Sequence, residues 1–188
     1  MNAAIASRRG RLPLILIAVV CIAPIIASVC AYYLFPRDAR TNYGQLLVTA
    51  PAPAIAGTTL GGDAFSLAAL SGHWVMLAAA GGHCDAACKR ALYAMRQARA
   101  IQGHERDRVV RVWLVTDGAQ PAQALIDAHP DLTIVRVPAD ALAAWPQGGD
   151  PIYLVDPRGN EVLAWPRDPD IKKLADDLGK LLRASQIG

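Results

Sequence analysis

Net charge is the first thing this 188-residue chain has little of: 19 Lys and Arg against 16 Asp and Glu leave a formal +3. So small and dispersed an excess argues against a nucleic-acid partner. No internal repeat is present, which excludes an architecture of stacked like units. Cysteine is scarce too, with four residues in all. Cys21 and Cys30 fall nine apart inside an apolar run, on different sides of a helix, and read there as small hydrophobes. A closed structural zinc site wants four ligands, and the two remaining cysteines, Cys84 and Cys88, do not supply them.

Charge is missing altogether over residues 12–35. At helical rise those residues would span roughly 36 Å, more than the roughly 30 Å hydrocarbon core of a bilayer. The run is too long for the core of a cleavable signal, and the cleavage-like Val29 and Ala31 are followed by more apolar residues. Valine directly precedes both Cys21 and Cys30, so neither has a lipoprotein context. The segment therefore reads as an uncleaved signal anchor that spans the membrane once. Tyr32, Tyr33 and Phe35 would form an aromatic belt at its far interface, and Pro24 a mid-membrane kink. Arg8, Arg9 and Arg11 precede the span, against Arg37 and Arg40 beside Asp38 after it. The positive-inside rule then keeps the N-terminus in the cytoplasm and exports the rest. In a bacterium-like cell this means an inner-membrane protein with a periplasmic C-terminal domain, where disulfides persist. The expected division is residues 1–11 cytoplasmic, 12–35 transmembrane anchor, 36–56 a linker rich in proline and alanine, and 57–188 the folded domain.

Within that domain, residues 58–72 read as a hairpin-like entry and 74–80 as a buried strand. Gly81 and Gly82 break it, and a helix follows from Cys84 to about Gln102, with Leu92, Met95, Ala98 and Ile101 on its apolar stripe. A second buried strand over 109–116 ends at the turn signal Asp117-Gly118. A helix over 121–129, a strand over 132–137 and a brief helix over 139–145 come next. Residues 152–155 and 161–165 flank Asp156-Pro157-Arg158-Gly159-Asn160, a hairpin by spacing and turn chemistry. Residues 170–185 form an amphipathic helix, with Ile171, Leu174, Leu178, Leu181 and Leu182 on one stripe and Asp176 and Asp177 opposite. Alternation that ends in a hairpin implies an α/β fold with a mixed sheet.

Cys84 and Cys88 stand where the first strand gives way to its helix. Residues i and i+4 of a helix project from one face, so the two sulfurs can pair or share one soft metal. A helix N-terminus favours a thiolate at Cys84, and Lys89, Arg90 and a protonated His83 would push the same way. Three uses stay open: an inert disulfide or packed thiols, a redox couple in which Cys84 attacks and Cys88 resolves, or a Cu(I) site, since soft sulfur suits that ion. His83 is a further metal candidate by adjacency. His104 and His129 read as surface residues and His73 as a turn residue, while Asp117 and Asp127 read as turn and helix-surface carboxylates.

The segment FSLAALSGHWVMLAAAGGHCDAACKRALYAM resembles the first half of thioredoxin-like periplasmic proteins, and its Cys-x-x-x-Cys spacing resembles the Sco/SenC copper-handling group. VWLVTDG and IYLVDPRGNEV are similar to that group's second strand and late hairpin, so the likeness runs over residues 60–185. The resemblance implies a thioredoxin-like three-layer sandwich with a mixed sheet, behind one membrane anchor. It implies a factor of cytochrome c oxidase biogenesis, whose partners are an oxidase subunit or assembly factor and a redox partner protein. Cys84 and Cys88 would be its redox pair or its Cu(I) ligands. The thioredoxin-like likeness also implies a cis-proline facing the pair, and Pro151, directly before a strand, is the candidate. The departure is a histidine that completes the Sco copper site just before the late strand; here Gln147-Gly148-Gly149-Asp150-Pro151 holds none. The readings carried forward are a thiol–disulfide or copper-relay factor and, as alternative, a non-catalytic scaffold that binds an oxidase subunit or assembly factor.

Overall fold

The computed structural model describes residues 3–34, 42–185 and 187, and the chain divides into two units at Thr41. The first is one helix, α1 (Ala3–Leu34), with Pro13 and Pro24 inside it. Its Pro13–Cys30 stretch is long and apolar enough to cross a membrane, and none of it is buried against protein. A helix that is apolar all round has no water-facing side to offer. Cys21 and Cys30 are free and exposed on it. The aromatic belt expected of Tyr32, Tyr33 and Phe35 rests on side chains outside the described residues, and residues 36–41 of the linker expected over 36–56 lie outside them too.

The second unit is built on apolar runs that form the middle of a mixed sheet. Its strands are β1 (Gln45–Pro51), β2 (Ala56–Thr59), β3 (Ala64–Ser66), β4 (Trp74–Ala80), β5 (Val109–Val115), β6 (Leu132–Arg136), β7 (Ile152–Val155) and β8 (Asn160–Trp165). They lie in the order β1-β8-β7-β4-β5-β6-β2-β3. β4 and β5 pair in parallel from Trp74↔Val109 to Ala80↔Val115, and β5 pairs in parallel with β6. The β7–β8 hairpin lies antiparallel beside β4, as Asp156 and Gly159 at its turn require. Parallel strands need crossovers, and these are α2 (Ala86–Ile101) and α3 (Gln123–Asp127), with α4 (Ile171–Ala184) closing the chain.

Side chains alternate across the strands, which gives the sheet two buried faces. Met76, Trp113, Leu154, Leu163 and Trp165 pack against Leu92 and Met95 of α2 and Leu174 and Leu178 of α4. On the other face Val75, Leu77, Val112, Leu114 and Tyr153 lie beneath Ile55, Phe65, Leu67, Leu142 and Trp145. The third layer is thus a 3-10 turn at Leu67–Leu70 and an irregular segment rather than a long helix. The helix expected over 139–145 is replaced by consecutive turns, with Ala143 N–H on Asp140 O and Trp145 N–H on Leu142 O. Pro146 disfavours helical backbone at Trp145, and Pro138 stands just upstream.

Two expectations are corrected here. Residues 42–56, read as linker, belong to the folded unit: β1 pairs antiparallel with β8, from Gln45↔Ala164 to Pro51↔Asn160. Asp177, placed on the polar face of the last helix, is buried, and its carboxylate accepts Gly44 N–H at 2.8 Å and Trp165 Nε1–H at 3.2 Å. That carboxylate ties the start of β1 to the end of β8.

Candidate functional site

β4 and β5 run parallel and finish at the same pole, so the loops that leave them meet. Asp117, at the end of β5, accepts Gly82 N–H at 2.8 Å and Ala119 N–H at 3.0 Å through one carboxylate oxygen. The approach is close enough that a Cβ on Gly82 would stand 2.1 Å from Ala119 O, so only glycine fits. Cys84 N–H then closes a tight turn on Gly81 O at 3.0 Å, and Cys84 itself adopts φ +45, the left-handed region that few non-glycine residues enter.

The helix begins later than the sequence suggested. Asp85 is its N-cap, and the Asp85 carboxylate accepts Cys88 N–H at 2.7 Å. Asp is among the preferred N-cap residues and cysteine is not. Cys84 therefore stands just outside the helix and Cys88 in its first turn. That half-turn of irregular backbone lets cysteines four apart meet: Cys84 and Cys88 form a disulfide, with Cα atoms 5.1 Å apart. The pair is nearly closed off, Cys84 being 2% and Cys88 3% exposed.

Charges of both signs surround it. The Cys88 amide, followed by the positive charge of Arg167, holds the Asp85 carboxyl below the usual carboxylate range. The Gly82 and Ala119 amides do the same for Asp117. Arg167, from the loop after β8, reaches both Asp85 oxygens at 3.3 and 3.4 Å and lies 4.0 Å from an oxygen of Asp150. Arg90, expected to act on the thiols, points to Asp168 at 2.9 Å. Behind the pair is a cavity with room for about one water molecule, lined among others by Cys88, Asp150, Pro151 and Arg167.

Pro151 lines that cavity with Cys88, but its peptide bond is trans, since the described residues contain no cis peptide. The chain reverses instead at Gly148, with φ +62 and its N–H on Trp145 O at 3.1 Å. His83 is exposed on the turn. Among the described residues no group of three His, Cys, Asp or Glu side chains could hold a metal ion. In the oxidised state the two sulfurs are joined to each other, and no third donor stands with them among the described residues. His104 is exposed and pairs with Glu105 at 2.9 Å, while His129, expected at the surface, is buried at the start of β6, at the pole opposite the cysteines. Asp127 is on the surface of α3 as read, bonded to Gln123. Asp85 and Arg167 are the site residues that the sequence did not single out. The first carried a signal, an Asp directly before a helical stripe; the second lies 82 residues from its partner and carried none.

A family model described as a transmembrane-like, thioredoxin-like, C-terminal domain matches residues 74–185, more than half of the chain. The chain belongs to this transmembrane-like thioredoxin-like family. Among solved structures the domain is similar to the thioredoxin domain of a thiol-disulfide oxidoreductase from Bacteroides vulgatus, at 22% identity, covering 72% of this chain and 99% of that one with a TM-score of 0.56. It is similar to Arabidopsis thaliana ScoI with copper bound, at 18% identity over 72% of this chain and 100% of that one, TM-score 0.59. Yeast Sco1 with copper bound gives 16% identity, 74% and 96% coverage and a TM-score of 0.62. At such identities the likeness establishes the thioredoxin-like fold that the Sco proteins and the oxidoreductases share. No curated protein matches the sequence.

Proposed function

We propose that this family member is a membrane-anchored thiol–disulfide reductant whose Cys84–Cys88 pair keeps a client's cysteines reduced. The single observation that carries this reading is the pair itself: a disulfide at the strand–helix junction of a thioredoxin-like fold, held by two carboxylates, Asp85 and Asp117, that bridge the loops around it. A disulfide closing a loop this short restrains little chain, so a purely structural role gains little from it. In the reduced state the Cys84 thiolate attacks one sulfur of the client disulfide and expels the other as a thiolate. The Cys88 thiolate then attacks Cys84 in the mixed disulfide, the client leaves as a dithiol, and both electrons have come from this pair. A dithiol donor protein returns the pair to the reduced state.

The apolar α1 supports a single-pass anchor, and the arginines before it support an inner-membrane orientation with the domain in the periplasm. Within the domain the chain enters at the disulfide pole, since Gln45 pairs with Ala164 at the end of β8 beside Trp165 and Ile152. A single-pass anchor limits clients to those near the membrane and raises their effective concentration. The resemblance to the Sco group makes an oxidase subunit or assembly factor the client of choice, with a cysteine-rich copper site as substrate.

The test uses the reduced full chain in detergent and a disulfide-bonded peptide carrying a Cys-x-x-x-Cys pair. The peptide should emerge reduced and the chain oxidised, and Cys88→Ser should stop at a mixed disulfide through Cys84. One Cu(I) held against a competing chelator and lost in Cys84→Ser would shift the reading to a copper relay. An unreacted peptide together with no copper retention would leave the scaffold reading.

A further inference from the structure

Resting on the redox reading, the geometry points to Arg167 as the residue that accepts the charge of Cys88 when the disulfide opens. Whenever a donor thiolate attacks the sulfur of Cys84, the S–S electron pair leaves on Cys88. That thiolate is created where the residue is 3% exposed, so water cannot fully solvate it. An uncompensated buried charge is costly. A cation facing the same space would lower both the barrier to opening and the free energy of the dithiol.

Arg167 is placed for this. It lines the one-water cavity together with Cys88 and Asp150 and is the only cation there; the rest of the lining is uncharged, from alanines, Leu92, Pro151, Ile152 and Trp113, whose indole N–H is also buried without a partner. Its guanidinium is divided: Nη2 bonds to Asp85, and Nη1 lies 4.0 Å from Asp150. Nε is buried and has no hydrogen-bond partner. An unmade bond on a buried donor costs free energy comparable to a lost hydrogen bond, and the opened state would supply its acceptor, the Cys88 sulfur directly or through the water the cavity admits. The carboxylates on the other two nitrogens hold the guanidinium in place while leaving that donor free. Lys89 and Arg90 follow Cys88 on the helix, but both are exposed and Arg90 is turned to Asp168.

The experiment measures the glutathione redox equilibrium and the rate of reduction by dithiothreitol in the full chain, with Cys21→Ala and Cys30→Ala so that only the pair reacts. Arg167→Gln should make the pair about tenfold harder to reduce at equilibrium, a potential lower by ~30 mV, and slow reduction to a similar degree. Arg167→Lys, which keeps the charge, should recover most of both. Because Arg167 also neutralises Asp85, the substitution is repeated on Asp85→Asn, whose amide still caps the helix. A tenfold effect that persists there supports direct action on Cys88. An effect that vanishes there, or an Arg167→Gln protein that is folded, reversible and unchanged, overturns the inference while the redox reading stands. A parent pair with no reversible couple overturns both.

Discussion

Asp117 holds the Gly82 amide at 2.8 Å, and through it the end of β5 fixes the loop that carries Cys84. The bond spans 35 residues and joins the two parallel strands at the pole where the cysteines lie. Asp117→Ala should leave the sheet intact but free that loop, so the Gly82 and Ala119 amides should exchange with deuterium faster while amides of β4 and β5 keep their protection. The depressed pKa of Asp117 sets the pH window. The contribution of the ionised carboxylate is fully present above its ordinary value of about 4 and is lost as pH falls through the lower folded-state value. Exchange at Gly82 measured in moderately acidic buffer should therefore still be slow.

Gly82→Ala attacks the same junction sterically. The new Cβ would meet backbone atoms, Ala119 O at 2.1 Å and Ala119 C at 2.6 Å, which cannot swing aside as a side chain would. A cost of about 1–3 kcal/mol is expected from overpacking, read as a lower urea midpoint. Gly118→Ala, with nothing within 4 Å of its Cβ, is the control and should change little.

Removal of the Asp177 carboxylate should be costly. Asp177→Ala would strand the buried Gly44 N–H and Trp165 Nε1–H and deprive Lys180 Nζ of a partner at 3.4 Å. A loss of roughly 3 kcal/mol is expected for a buried charge network broken on one side. Urea denaturation of the parent and the variant measures it, and Asp177→Asn should lose less because it keeps one acceptor.

At the far pole, Arg111 is 2% exposed and its Nε and Nη1 have no hydrogen-bond partner. Burial, with Arg99 and Arg96 adding like charge and Asp131 opposing, lowers its pKa to about 10. A charge so poorly compensated is not a source of stability. Arg111→Met should be as stable as the parent or up to about 2 kcal/mol more stable. His129 is held below its ordinary value first by burial and then by Arg111 and Arg96. Its folded-state pKa being depressed, stability is full above about 6.5 and declines as pH falls from there toward the lower folded value. Denaturation midpoints at pH 7.5 and pH 5 should differ less in Arg111→Met than in the parent.

What the sequence disclosed and what it hid divide by the range of the forces involved. β4, β5 and the β7–β8 hairpin were legible because continuous apolar runs and the Asp-Pro-Arg-Gly-Asn turn are local signals. The cysteine pair was legible by spacing alone. β1 was not, since Gln45–Pro51 is an edge strand with Leu46 and Val48 exposed, and it runs into an alanine- and proline-rich stretch that looks like linker. The start of the helix was placed two residues early, at Cys84 rather than Ala86, because only the cap geometry at Asp85 marks it. Arg167 and Asp177 owe their places to contacts across the fold, and the sequence neighbours of each are uninformative.

Whether Cys84 and Cys88 are a working couple is read from their equilibrium with glutathione. The full chain, incubated in buffers of graded reduced-to-oxidised ratio, is quenched by alkylation and read by mass for the peptide that spans residues 84–88. A single reversible two-electron transition is expected, which Cys84→Ser and Cys88→Ser each abolish. A pair that stays bridged in every buffer, or never bridges in any, would contradict it.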